Sequence, residues 1–144
     1  MLKNAMKIFL YILVVGTMTL KAQEPYTLAT CPNSPNCVNS LANDAGHAIA
    51  PFPIIGTVEA SLDRLCLIIQ SLPRTKIIFI GKNYLHAEFT SRIFRFIDDV
   101  EFLGNPSENV IEVRSASRIG YGDLGVNRQR IEALRSLYQT FSDK

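Results

Sequence analysis

From Lys76 to Ser115 the chain falls into four short runs of strand-like character, and the links between them are only a few residues long. Parallel neighbours would need a crossover of a dozen or more residues, so links of this length impose an antiparallel meander. The first run, Lys76 to Ile80, is mostly apolar, and Gly81-Lys82-Asn83 supplies the turn after it. The second, Tyr84 to Thr90, alternates: Leu85, Ala87 and Phe89 belong to one face, Tyr84, His86, Glu88 and Thr90 to the other. The third, from about Arg92 to Phe102, sets Phe94, Phe96, Val100 and Phe102 against Arg95, Asp99 and Glu101. Gly104-Asn105-Pro106-Ser107 turns the chain into the fourth run, Asn109 to Ser115, with Ile111 and Val113 facing inward.

One residue does not fit that alternation. Asp98 falls on the apolar face of the third strand. Either a bulge at Asp98 and Asp99 shifts the register, or a carboxylate points inward and needs a partner there.

A helix precedes the strands and another follows them. Thr57 has the character of an N-cap, Glu59 suits the first turn, and Val58, Leu62, Leu65, Ile69 and Leu72 recur at helical spacing until Pro73 ends the pattern. The second helix is expected from Asp123, as its N-cap, to about Phe141. Leu124, Ile131, Leu134, Tyr138 and Phe141 form its stripe, and Asn127 is the one polar position in it. The economical arrangement is an α+β two-layer sandwich, a four-stranded antiparallel sheet with both helices on one face. Tyr84, His86, Glu88, Arg95, Asp99, Glu101, Glu112 and Arg114 then lie on the opposite face, which is open to water unless something covers it.

The N-terminus carries an export pattern. Lys3 and Lys7 precede an apolar run from Ile8 to Val15 that fades through Leu20, and Ala22 is a small residue suited to cleavage before Gln23. The run is short for a spanning helix, so residues 1–22 read as a cleaved signal peptide in preference to a retained anchor. A lipid anchor at Cys31 is disfavoured because Leu28-Ala29-Thr30 has Thr where Gly or Ala belongs and lies well beyond the run. Cleavage would remove three lysines and no acid, leaving 12 basic against 13 acidic residues on about 122, close to −1. The apparent basicity belongs to the leader, and the remaining balance argues against nucleic-acid binding or a membrane-surface role. That length suits one globular unit, with residues 23–56, rich in Pro, Asn, Ala and Gly, read as an irregular segment tied to an α+β domain at residues 57–144.

Cys31 and Cys37 bracket the turn-rich Pro-Asn-Ser-Pro-Asn, and a disulfide between them is expected outside the reducing cytosol. Closing so short a loop contributes about 2 kcal/mol in the chain-entropy model. A metal site is the rival, but no second Cys pair or nearby His completes the usual four ligands. Cys66 sits among Leu62, Leu65 and Ile69, where a buried, inert thiol is expected.

Residues 114–130, Arg-Ser-Ala-Ser-Arg-Ile-Gly-Tyr-Gly-Asp-Leu-Gly-Val-Asn-Arg-Gln-Arg, concentrate four arginines and three glycines between the last strand and the last helix. Together with Cys-Pro-Asn-Ser-Pro-Asn-Cys-Val and Phe-Arg-Phe-Ile-Asp-Asp-Val-Glu-Phe, in that order, this run resembles the family catalogued as domain of unknown function 1499. The resemblance implies a small bacterial or plastid domain, frequently exported or membrane-associated. It implies no catalytic residues.

The chemistry is therefore weighed from the residues. Arg114, Arg118, Asp123, Asn127, Arg128 and Arg130, with the backbone amides around Gly120 to Gly125 at the final helix's N-terminus, form the candidate site for an anionic group on a small ligand. The same arginines suit internal pairing with Asp98, Asp99 and Asp123, which would clamp the loop to the third strand. An envelope enzyme using Asp98, Asp123 or His86 as acid or base is the alternative, but no nucleophile elbow, phosphate-binding loop or metal-binding helix motif appears. His86 beside Glu88 and His47 near Asp44 read as surface groups. A third reading docks the loop or the polar sheet face on another envelope protein. The sequence thus favours a non-catalytic binding or accessory role, with no cofactor or metal implied.

Overall fold

A computed structural model describes residues 25–142, and the expected signal segment, residues 1–22, lies outside the described residues. The elements run β1 (Cys37–Asn39), β2 (Phe52–Pro53), α1 (Val58–Ser71), β3 (Thr75–Ile80), β4 (Tyr84–Thr90), β5 (Ile97–Asn105), β6 (Val110–Ser117) and α2 (Val126–Ser142). The sheet has the order β1-β6-β5-β4-β3, with β2 also on the outer edge of β6, and every strand pair is antiparallel. The α+β class and the β3-to-β6 meander are those expected. The strand count is not: the sheet is six-stranded, because the segment expected to be irregular adds two strands along β6. Runs of three and two residues are too short to carry a period, which is why alternation does not reveal them.

Thr57 caps α1, its Oγ1 accepting from the Ala60 amide at 3.0 Å, and the helix ends at Ser71 with Leu72 extended before Pro73. Leu62, Leu65 and Ile69 of α1 and Ile131, Leu134 and Tyr138 of α2 close over Leu85, Ala87, Val100, Phe102, Ile111 and Val113 in a single core. Phe52 of β2 enters the same core edge-on to Phe102 and Tyr138. Gly104 lies so close to Val58 that a Cβ there would sit 2.2 Å from its Cγ1, so a glycine lets β5 pass under the start of α1. Cys66 is buried and unpaired, and burial followed by the charge of Asp63 pushes its thiol above the ordinary value.

The polar face of the sheet is partly covered by the chain's own N-terminal segment. Tyr26 stacks on Tyr84 at 4.3 Å, Leu28 is buried, and Asn39 Nδ2 donates to the Ala29 carbonyl at 2.9 Å. The Cys31–Cys37 disulfide fastens this segment to β1. Farther along, His47 has Asp44 on Nδ1 and the Ser34 carbonyl on Nε2 at 3.0 Å. Those two acceptors, the Ser34 carbonyl first, raise its pKa and join the turn after β1 to the disulfide loop.

Two local readings are corrected. Strand β5 begins at Ile97, not Arg92, so Phe94 and Phe96 lie outside the core although their parity matches it. Thr90 pairs directly with Ile97, which turns residues 91–96 into a link, and Arg95 within it takes a left-handed φ of 59° that no strand accommodates. Likewise α2 starts at Val126, not Asp123; Leu124 stands before the helix at φ 54°, and Phe141 at its far end is half exposed.

Candidate functional site

Successive residues of a strand face opposite ways, so Asp98 and Asp99 send their carboxylates to opposite sides of β5. This single step of the chain divides the candidate residues into two groups.

On the helix side, Asn127 is 0 % exposed and is the centre of a polar cluster inside an otherwise apolar layer. Its Oδ1 accepts from Ser115 Oγ at 2.5 Å and Arg130 Nη1 at 2.6 Å. Its Nδ2 donates to Asp123 Oδ2 at 2.7 Å and to the Asn36 carbonyl and Ser117 Oγ, both at 3.0 Å. Arg130 continues the cluster: Nη2 donates to Asp98 Oδ2 while the guanidinium lies 5.0 Å over the Phe89 ring. The register of β5 runs unbroken through Asp98 on both sides, so the inward carboxylate with a partner is the arrangement found, not the bulge. The bulge in this sheet lies between Ile77 and Phe79.

Asp123 completes this side. Its carboxylate accepts from the Gly125 amide at 2.8 Å and the Asn127 amide at 2.9 Å, and so occupies the N-terminus of α2 from three residues ahead of the helix. Burial opposes its ionisation, but the hydrogen bonds from Asn127 and Gly125 outweigh burial and hold its pKa below the ordinary value. Arg128 donates to the carbonyls of Ala48 at 2.8 Å and Gly46 at 3.1 Å. Two helical turns on, Arg135 does the same for Pro51 and Ala50, and lies 4.5 Å over Phe52.

On the other face, Arg118 bridges two strands. Its Nε and Nη2 donate to Asp99 at 2.7 and 2.8 Å, and Nη2 also reaches Glu88. His86 Nε2 lies 2.7 Å from the same Asp99. Hydrogen bonds from Arg118, and secondarily from His86, hold the Asp99 carboxyl below its ordinary pKa against partial burial. Arg114 pairs with Glu101 at 3.1 Å, and Tyr84 donates to Glu101 at 2.6 Å. The phenol of Tyr84 is pushed up by burial and by that carboxylate. Among the described residues no group of three or more His, Cys, Asp or Glu could hold a metal ion.

Above the helix-side cluster the sheet ends in a hollow of about 290 Å³; one wall falls within residues 114–130, and the wall formed by Phe94 and Phe96 was not foreseen. Phe94 and Phe96 from the β4–β5 link, Ile119 and Leu124 from the β6–α2 loop and Val126 at the start of α2 form the rim, while Asp98, Ser117 and Asp123 lie below. Leu124 is 97 % exposed and Phe94 73 %, and Phe94 stacks on Phe96 at 5.5 Å. Leu124 also edges a second hollow with Arg128, Asp123 and Val38. The sequence did hold a signal for this rim: Arg-Ile-Phe-Arg-Phe after Ser91 alternates charge with bulk, but the parity of its phenylalanines matches the core and conceals it.

The family model described as "Protein of unknown function (DUF1499)" matches residues 27–137, nearly the whole of the described chain. The chain belongs to this family. No curated protein matches it. The DUF1499 match covers β1 and β2 as well as the meander and most of α2, so the N-terminal strands lie within the family's extent.

The two ionic groups of this DUF1499 chain differ in burial, and so in what their loss does. Arg130→Ala leaves the Asp98 carboxylate buried and unpaired, and should destabilise by about 3–5 kcal/mol in urea unfolding. The apolar pair Asp98→Leu with Arg130→Met should cost far less; a loss under about 1 kcal/mol for Arg130→Ala contradicts the assignment. Asp99 behaves differently because its folded pKa lies below the ordinary 3.8. Its pairing contributes fully above that unfolded value and is lost as pH falls through the folded one. Unfolding midpoints should therefore rise as pH climbs from below the folded pKa of Asp99 to the ordinary 3.8, and Arg118→Ala should flatten that rise. An unchanged slope in the variant removes Arg118 as the cause.

Proposed function

We propose that this DUF1499 chain is an exported, non-catalytic binding module that meets its partner with the hollow between residues 91–96 and 119–126. The observation that carries the reading is the rim of large apolar side chains standing in solvent over a floor whose polar groups are already satisfied. Monomeric proteins seldom expose contiguous apolar surface without a binding purpose. Phe94, Phe96 and Leu124 contribute nothing to the core, and Leu124 keeps a left-handed backbone that an aliphatic residue adopts at a cost.

The arginines of the loop support a partner surface more than a small anion. Asp98 offsets Arg130, and Asp99 with Glu88 offsets Arg118. The free amides at the start of α2, where an anion would be expected, are taken by Asp123. Arg128 spends its donors on backbone carbonyls. The enzyme alternative is weaker for the same reason: Asp98, Asp123 and His86 each hold a hydrogen-bonded internal partner, and an acid or base must reach a substrate.

Export is part of the proposal. A Cys31–Cys37 disulfide is present, and no described helix is long and apolar enough to cross a membrane. Expression in an exporting host followed by intact-mass measurement should give a chain starting at Gln23, with only Cys66 alkylated after denaturation without reductant. A chain retaining residues 1–22, or three alkylated cysteines, speaks against it.

The rim has its own test. Phe94→Ser with Leu124→Ser should leave stability within about 0.5–1 kcal/mol, as exposed positions do. The same variant should lose the fluorescence enhancement that an apolar probe such as anilinonaphthalene sulfonate acquires on the wild-type chain. Substantial destabilisation would make the rim structural, and undiminished probe fluorescence would place binding elsewhere.

A further inference from the structure

Resting on that reading of the rim, we infer that its occupant is an anionic lipid surface. The β4–β5 link, Ser-Arg-Ile-Phe-Arg-Phe, contains no acid, and Arg92 and Arg95 are exposed and make no ion pair among the described residues. The arginines of residues 114–130 are engaged by carboxylates or carbonyls, whereas Arg92 and Arg95 stand exposed in the link, with exposed Arg74 at its foot, where the Arg74 carbonyl accepts from the Thr90 amide at 2.9 Å. Beside them project Ile93 at 79 % exposure, Phe94, Tyr121 at 73 % and Leu124. Apolar tips flanked by guanidinium groups match the boundary between acyl chains and phosphates: the tips enter the apolar layer, the arginine stems follow, and the charges stay at the headgroups. Tyrosine suits the same depth.

The tips are held on a firm base. Ser91 and Phe96 close the link with a 2.8 Å backbone bond and a 2.9 Å bond from the Phe96 amide to Ser91 Oγ. Asn36 Nδ2 holds the Gly120 carbonyl at 2.6 Å, and Asp123 clamps the turn after it. The nearby acids, Asp98 and Asp123, lie beneath the rim and are matched by Arg130 and by the amides of α2, so they do not repel an anionic surface.

The test uses the oxidised chain recovered from an exporting host, mixed with sedimentable vesicles of phosphatidylcholine alone or with about a third phosphatidylglycerol. Partition onto the anionic vesicles should exceed that onto neutral ones by about 25-fold at low salt and fall as salt rises. Arg92→Ala with Arg95→Ala should lower it by roughly 25-fold, about fivefold for each charge removed. Phe94→Ser with Leu124→Ser should abolish it, with circular dichroism and the unfolding midpoint unchanged in both variants. Absent partition, equal partition onto both vesicle types, or partition indifferent to both variants overturns the inference. So does self-association in sedimentation equilibrium that vanishes in Phe94→Ser with Leu124→Ser while vesicles go unbound; that result assigns the rim to a second copy of the chain. Probe binding without vesicle partition leaves the binding module standing and removes the lipid, whereas failure of both removes the module as well.

Discussion

The carboxamide of Asn127 is the interaction on which the far end of this fold depends. A fully buried amide is tolerated only when its donors and acceptor are satisfied, because an unmade bond in a dry interior leaves the whole desolvation penalty standing. Asn127 meets that demand from five directions, taking partners from β6, the loop ahead of α2, α2 itself and the chain before β1. Those partners are far apart in sequence, so satisfying one side chain fixes where four segments meet. The apolar stripe of α2 would hold the helix over the sheet without it, but would leave its rotation and its entry loop poorly specified.

The N-terminal strands depend on the same helix in a different way. Residues 46–53 run along α2 with carbonyls turned toward it, and Arg128, Arg135 and Tyr138 donate to Gly46, Ala48, Ala50, Pro51 and Pro53. An extended segment with two prolines cannot satisfy its carbonyls within itself, and guanidinium groups two helical turns apart supply the missing donors. The charge of these arginines matters less here than their number of N–H groups. Paired on one side with β6 and on the other with α2, a segment without periodicity becomes part of the sheet.

How much of this was legible in the sequence follows from whether each constraint is local. Thr57 with Glu59 and Pro73 bound α1, and the alternation of Tyr84 to Thr90 assigned faces correctly, because caps and strand parity are written within a few residues. Asp98 was legible as an anomaly: parity put a carboxylate inside, and electrostatics required a partner. Which partner was not legible, since Arg130 lies 32 residues away and only the closed fold brings it near. Parity also misled. Phe94 and Phe96 continue the even positions of β5, but a hairpin link must fall somewhere, and the left-handed Arg95 shows that the strand had not yet begun. Leu124 deceived in the same way, holding a helical spacing to Ile131 although the chain reaches the helix only at Val126.

The density of arginine in residues 114–130 looks like the chemistry of a site, yet its guanidinium groups are taken up by carboxylates or, for Arg128, by backbone carbonyls. A charge matched by an adjacent carboxylate leaves little field beyond the pair, whereas an unmatched one acts over about 8–10 Å at ordinary ionic strength. Arg128 has carbonyl partners and is half-buried, so the exposed, unmatched charge beside the rim is that of Arg92 and Arg95, in a link that parity had assigned to a strand. The near-zero balance expected of the exported chain is an average over matched and unmatched groups, and it is blind to this asymmetry. The loop of residues 114–130 acts through its structure: it closes the end of the sheet, buries Asp98 and Asn127, and so makes a base stiff enough to hold apolar side chains out in water.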